Sequence, residues 1–159
     1  MLQTQIKGPN AIAAMESVCT ADVGGLVPNS GCLSLFTNKK GGIYDDLIVN
    51  KIDDEQLYIV SNASMEDQDF GILTEATQKH NSTLEKINAS LIAVQGPKAV
   101  QILQAGTGVD LSQVFFMEGR KLSLFGIENI RLTRCGYTGE DGFELSIPSG
   151  LSLKSFSEN

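Results

Sequence analysis

The chain has 159 residues, 42% of them hydrophobic and 19% charged, which is the length of one domain or two small ones with the balance of an ordinary globular protein. Its 12 Lys and Arg are scattered and outnumbered by 19 Asp and Glu, for a formal net charge of -7. That charge argues against a nucleic-acid binder, which needs a basic footprint for phosphates, and gives no attraction to an anionic membrane.

No basic-then-apolar leader opens the chain, so no targeting peptide is read in it; Met1 runs into Leu2-Gln3-Thr4-Gln5-Ile6, which alternates like a strand. Gly8-Pro9-Asn10 signals a turn, and Asn10 is placed to cap a helix to about Val18 that carries Ile12, Ala13, Met15 and Val18 at near-helical spacing. Residues 24–31 read as loop, and residues 32–36 and 43–49 as the arms of a hairpin across a polar, glycine-bearing link. A further strand over residues 56–61 follows the acidic turn Asp53-Asp54-Glu55. Ser64-Met65-Glu66-Asp67 has the form of a capping box and predicts a helix to about His80, with Phe70, Leu73 and Ala76 on one face. Residues 91–94 predict a short buried strand, and Pro97 the first turn of a helix whose apolar face carries Val100 and Leu103, with Ile102 at its margin. Strands are predicted over residues 114–117, 121–125, 130–134 and 143–147, and the polar tail at 151–159 is expected to fray. Strands and helices alternate irregularly with several hairpins, so the fold class is α+β with mainly antiparallel sheets and packed helices. No stretch is long and apolar enough to span a bilayer.

Cys19, Cys32 and Cys135 are odd in number and have neither metal-type nor redox-type spacing, so each reads first as a small buried side chain in a reducing compartment. Cys135 lies beside a glycine-rich turn, where a nucleophile is the sharper reading, but nothing places the single histidine, His80, near it. The glycosylation patterns at Asn62, Asn81 and Asn88 are too short to outweigh chance.

Two segments rise above this background. In Ile43-Tyr44-Asp45-Asp46-Leu47-Ile48-Val49, adjacent aspartates interrupt a strand, although carboxylates are poor strand formers and costly to bury. Alternation sends them to opposite faces, Asp45 with Ile43, Leu47 and Val49, Asp46 with Tyr44 and Ile48. Patterning alone slightly favours an edge strand in which one aspartate blocks aggregation and the other caps a turn. In Arg134-Cys135-Gly136-Tyr137-Thr138-Gly139-Glu140-Asp141-Gly142, closely spaced glycines make a tight connection that lacks the Gly-Lys-Ser/Thr ending of a phosphate loop. Phe143, Leu145 and Ile147 then alternate with Glu144 and Ser146. Most such glutamates face solvent; the functional alternative makes Glu144 a two-oxygen acceptor for paired N–H donors on a flat ligand.

These segments, together with Gly31-Cys32-Leu33-Ser34-Leu35-Phe36, Leu57-Tyr58-Ile59-Val60-Ser61-Asn62 and Leu91-Ile92-Ala93-Val94-Gln95-Gly96-Pro97, resemble in content and order the T-protein aminomethyltransferases of the glycine cleavage system. The likeness runs from Met1 to about Pro148, and Arg134 to Gly142 is its most specific part. It implies that residues 1–90 form part of a first folate-binding subdomain, residues 91–148 the start of a second and residues 149–159 a divergent tail, without the family's C-terminal β-barrel domain. The activity implied is transfer of the methylene carbon from the aminomethyl group on the lipoyl arm of H-protein to tetrahydrofolate, with release of ammonia. Tetrahydrofolate is then the co-substrate and lipoylated H-protein the partner, with no metal, no nucleic acid and no membrane. The setting would be the mitochondrial matrix in a eukaryote or the cytoplasm in a bacterium.

Residue by residue, the resemblance implies that Asp46 is the carboxylate near the reacting folate nitrogen and that Glu144 holds the pterin ring. Tyr137 packs nearby, and Leu33, Val60, Asn62 and Met1 line the same pocket, which is expected to be more apolar around Asp46 than around Asp45. Family members are longer, and an arginine downstream of the pterin-binding glutamate has no counterpart here. The chain alone is therefore expected to be inactive and to bind folate weakly. The alternatives are a folate-binding module of a dimethylglycine or sarcosine dehydrogenase, and a non-catalytic folate-binding fragment. A folate-binding protein of iron–sulfur assembly is disfavoured, because Cys135-Gly136-Tyr137-Thr138-Gly139-Glu140 reverses its Gly-Cys order and lacks its Gln.

Overall fold

The computed structural model describes residues 1–150, and the tail expected to fray lies outside the described residues. The chain divides into two compact units, Met1–Ile87 and Asn88–Asn159. The α+β reading with mainly antiparallel sheets holds in both.

The first unit contains β1 (Leu2–Lys7), α1 (Ala11–Glu16), β2 (Ser30–Thr37), β3 (Ile43–Asp53), β4 (Gln56–Ser61), α2 (Glu66–Lys79) and β5 (Thr83–Lys86). Its strands form one antiparallel sheet in the order β2-β3-β4-β1-β5. The β2–β3 hairpin closes because Asn38 Oδ1 accepts the N–H groups of Lys40 and Gly42, at 2.8 and 3.0 Å, while Gly41 takes φ +79. Leu47, Val49, Leu57, Ile59 and Phe36 pack with Ala11 and Met15 of α1 and Leu73 of α2, so one face of the sheet is covered by helices.

Three local expectations change here. Asn10 stands at the start of α1 without capping it; its Nδ2 donates instead to the His80 carbonyl at 3.0 Å, and the helix stops at Glu16. The capping box at Ser64 does not form, because residues Ala63–Met65 make a 3₁₀ turn and the α-helix begins after Met65 with no side-chain cap. The edge strand β5 gave no sequence signal, since of its four residues only Leu84 packs against the core.

The second unit contains β6 (Ala89–Gln95), α3 (Ala99–Gln104), β7 (Gly119–Leu124), β8 (Ile127–Thr133) and β9 (Gly142–Pro148), with the antiparallel sheet order β6-β9-β8-β7. Its core gathers Ala99, Leu103, Leu111, Val114, Leu122, Leu132, Phe143, Leu145 and Ile147. Ile102 faces away from this core and is exposed. The strand predicted over residues 114–117 is absent: a 3₁₀ turn (Leu111–Gln113) leads into turns, and Met117 takes φ +65. Val114 alone of that apolar run is buried; Phe115 and Phe116 are 64% and 70% exposed. The Val114 carbonyl is taken by the Arg134 guanidinium at 2.8 Å, where a ladder partner would have to stand.

Candidate functional site

The adjacent aspartates do not lie on an edge strand, as patterning alone suggested. β3 is paired on both sides, with β2 and β4, but β4 ends opposite Leu47, so Asp45 and Asp46 project just past its last residue. The gap beside them is filled by Asn62, the next residue after β4. Its Nδ2 lies 2.9 Å from Asp45 Oδ1, 3.1 Å from Asp46 Oδ1 and 3.3 Å from the Asp46 carbonyl, and its backbone N–H reaches Asp45 Oδ2 at 3.3 Å. One amide therefore ties both carboxylates to the sheet end. Donation to a carboxylate is stronger than a neutral hydrogen bond, so this clamp limits the rotamers that Asp46 samples.

Strand alternation gives the two aspartates different surroundings. Asp45 shares the helix-covered face with Leu47 and Val49, stands opposite Phe36, and meets Asp69 of α2. Asp46 is exposed on the other face, opposite Leu35, with Leu33, Ile48 and Val60 forming the next cross-strand row. Val60 is buried and Leu33 exposed, and the row continues to Gln3, whose Oε1 accepts from the Tyr58 hydroxyl at 2.9 Å. Met1 precedes Leu2, which pairs with Ser61. Asp46, Leu33, Val60 and Asn62 thus belong to one end and one face of the first sheet.

Asp69 escaped the sequence reading. It is 0% exposed, and neither carboxyl oxygen has a donor of ordinary hydrogen-bond geometry. Burial above all, and then the neighbouring Asp45, push its acid up to about 6, although Ser61 and Gln68 act in the opposite direction. A signal for it existed: Asp69, Leu73 and Ala76 fall at the i, i+4, i+7 spacing of a buried helical stripe.

In the second unit, Glu144 lies on β9, between Ala93 of β6 and Thr133 of β8, on the face opposite Phe143 and Leu145. It is half-buried rather than solvated, and burial raises its acid above the ordinary range against the opposing pull of the Cys135 thiol. Burial, with Glu144 alongside, pushes the Cys135 thiol up to about 12. A thiol so rarely ionised is a poor nucleophile, so Cys135 is a buried structural side chain. Burial likewise raises Cys19 and Cys32.

The glycine-rich connection before β9 is organised by Arg134. Its guanidinium makes a bidentate pair with Asp141, Nε to Oδ1 at 2.9 Å and Nη2 to Oδ2 at 2.6 Å, donates to the Val114 carbonyl, and lies 5.3 Å from the Phe143 ring centroid. Inside the connection, Gln95 Nε2 donates to the Cys135 carbonyl at 3.1 Å. A Cβ on Gly136 would fall 1.9 Å from Gln95 Oε1, and one on Gly142 2.5 Å from the same side chain, so both glycines admit that glutamine. Tyr137, at the tip, is 77% exposed.

A surface cavity of about 500 Å³ at Lys7, Gly8 and residues 53–56 contains none of the predicted site residues. Among the described residues no group of three or more His, Cys, Asp or Glu is arranged to hold a metal ion. No described helix is long and apolar enough to cross a membrane.

The model of the GCVT N-terminal domain matches residues 1–158. The chain belongs to the GCVT N-terminal domain family. Among curated relatives, mitochondrial aminomethyltransferase of Mus musculus is 44% identical over 154 residues, covering 94% of this chain and 38% of that protein. The Homo sapiens protein of the same name is 45% identical over 153 residues, covering 93% and 38%. The chain thus spans about two fifths of the length of such GCVT relatives. Of solved structures, glycine cleavage system aminomethyltransferase T from Bartonella henselae superposes with TM-score 0.88 at 28% identity, over 98% of this chain and 42% of that one. Heterotetrameric sarcosine oxidase from Corynebacterium sp. U-96, at 17% identity and TM-score 0.59 over 91% of this chain and 70% of that one, shares the fold alone.

Proposed function

We propose that this chain is the tetrahydrofolate-binding part of a glycine cleavage aminomethyltransferase, with residues 1–90 as part of a first folate-binding subdomain and residues 91–148 as the start of a second. The whole reaction moves the methylene carbon of the aminomethyl-lipoyl group of H-protein to tetrahydrofolate and releases ammonia. The observation that carries this reading is the Asn62 clamp, which presents an exposed, oriented Asp46 carboxylate beside the apolar row of Leu33, Ile48 and Val60. A fixed carboxylate next to a reacting amine orients its N–H and stabilises positive charge as the carbon is transferred, and it can accept a proton.

Glu144 fits the pterin. A half-buried carboxylate on an interior strand has two oxygens to accept the amino and ring N–H groups of a flat heterocycle, and burial strengthens such bonds. Tyr137 offers an exposed ring for packing against the ligand, and in the first unit Leu33, Val60, Asn62 and Met1 are the residues the family resemblance assigns to folate contact. Lipoylated H-protein is the partner that delivers the carbon. The names of the curated relatives support a mitochondrial setting for a eukaryotic source. The test is residue-resolved NMR of the chain titrated with tetrahydrofolate. The expected result is saturable movement of the signals of Leu33, Val60, Asn62, Tyr137 and Glu144 with one common midpoint. Movement confined to other residues contradicts the reading.

A further inference from the structure

We infer that Asp69 and Asp45 share a proton, and that this buried acid pair positions Asp46 through Asn62. The inference deepens the functional reading above and makes Asp69 a positioning residue, removed from Asp46 by two side chains, Asp45 and Asn62. Asp69 is wholly buried and neither of its oxygens has a donor of ordinary hydrogen-bond geometry, among the costliest arrangements for a carboxylate.

The groups around Asp69 point to one resolution. The ionisable group facing it is Asp45 on β3; Ser61 at the end of β4 and Gln68 on α2 contribute a hydroxyl and an amide. On the elements packed against α2, the charged groups are committed elsewhere: Glu16 of α1 accepts the Gly24 N–H at 2.8 Å, Lys86 of β5 pairs with Glu66, and Glu85 of β5 pairs with Lys7. No cation acts on Asp69 among the described residues. Two facing carboxylates repel, whereas one proton between them makes a short charge-assisted bond. Burial raises the acid of Asp69, which favours placing the proton there.

A protonated Asp69 donates to Asp45 and leaves the Asp45 carboxylate to accept from Asn62, at 2.9 Å from Nδ2 and 3.3 Å from the backbone N–H. The same Nδ2 then reaches Asp46 Oδ1 at 3.1 Å. Loss of the proton sets Asp69 against Asp45, shifts Asp45, and loosens Asn62 from Asp46. The site is thereby tuned by an acid that never touches the ligand.

The experiment is a pH titration of the 159-residue chain carrying ¹³C at the aspartate carboxyls and ¹⁵N in the asparagine side chains. An Asp69 carboxyl carbon that titrates well above the usual carboxylate range of about 4, with the Asn62 Nδ2 signals moving at the same midpoint, is the expected result. In Asp69→Asn, whose amide donates to Asp45 at every pH, the Asn62 signals should lose that movement. Completion of every aspartate titration in the ordinary range, or Asn62 signals that ignore the Asp69 midpoint, overturns the inference. The unsubstituted chain decides the matter even where the variant fails to fold. No folate enters the experiment, so its failure is separate from failure of the folate reading.

Discussion

Replacing Phe143 with alanine is expected to destabilise the chain by about 3–5 kcal/mol. The ring is 0% exposed and packs among Leu122, Leu132, Leu145 and Ala99. Its deletion opens a cavity in close-packed surroundings, which adds to the lost transfer free energy. It also removes the aromatic face beneath the Arg134 guanidinium, 5.3 Å away, which anchors the connection leading to Glu144. Net stabilities of small domains are only about 5–15 kcal/mol, so the loss threatens the fold itself. Urea unfolding of the variant checks this, with Tyr137→Ala as the control. The exposed Tyr137 should cost less than about 0.5 kcal/mol, as surface changes do. A Phe143→Ala loss as small as that control would contradict the packing described.

The second large effect is a pH dependence of stability that belongs to Asp69. Burial holds its acid at about 6 in the folded chain, against 3.8 for an ordinary aspartate. Between those values the folded chain binds the proton more tightly than the unfolded one, so stability falls as pH rises. The contribution is fully present below the unfolded value and is lost as pH climbs through the folded one. That difference corresponds to on the order of 3 kcal/mol. Asp69→Asn removes the titration while keeping size and supplying an N–H donor toward Asp45. The variant should therefore gain on the parent steadily from about pH 4 to pH 7, as measured by urea midpoints; titrating groups out of contact with Asp69 cancel in the comparison. A parent–variant difference that does not change with pH contradicts the assignment.

Much of this architecture was legible because burial is one-sided. The alternation of Phe143, Leu145 and Ile147 with Glu144 and Ser146 is that of an interior strand with one core face, and β9 is such a strand. The hairpin link at residues 37–42 was readable because Asn and Gly there do local work that few other residues can do. The misreadings have equally local causes. Residues 114–117 look like a strand by apolarity, but Phe115 and Phe116 are exposed and Arg134 claims the Val114 carbonyl. Asn10 and Ser64 have the chemistry of helix caps, yet Asn10 is drawn to His80 and Ser64 lies within a 3₁₀ turn.

The site was partly legible for a different reason. Adjacent aspartates in a strand violate a strong preference, and such violations point to function or to a special local environment. Periodicity placed Asp45 and Asp46 on opposite faces but gave no means of choosing between them. The choice of Asp46 came from resemblance, and the clamp on both carboxylates required knowing that β4 ends one residue before Asn62. Asp69 was passed over because a charged residue on a helix normally faces water. Its position on the Leu73 and Ala76 stripe was the contrary signal.

The measurement that tests the central claim most directly is a calorimetric titration of the chain with tetrahydrofolate beside its Glu144→Ala variant. The prediction is a saturable one-to-one isotherm for the parent and affinity lower by about a hundredfold in a variant that remains folded, since two hydrogen bonds to a carboxylate are worth at least about 3 kcal/mol. Equal affinity in parent and variant, or no binding by the parent, would contradict the placing of a folate site in this chain.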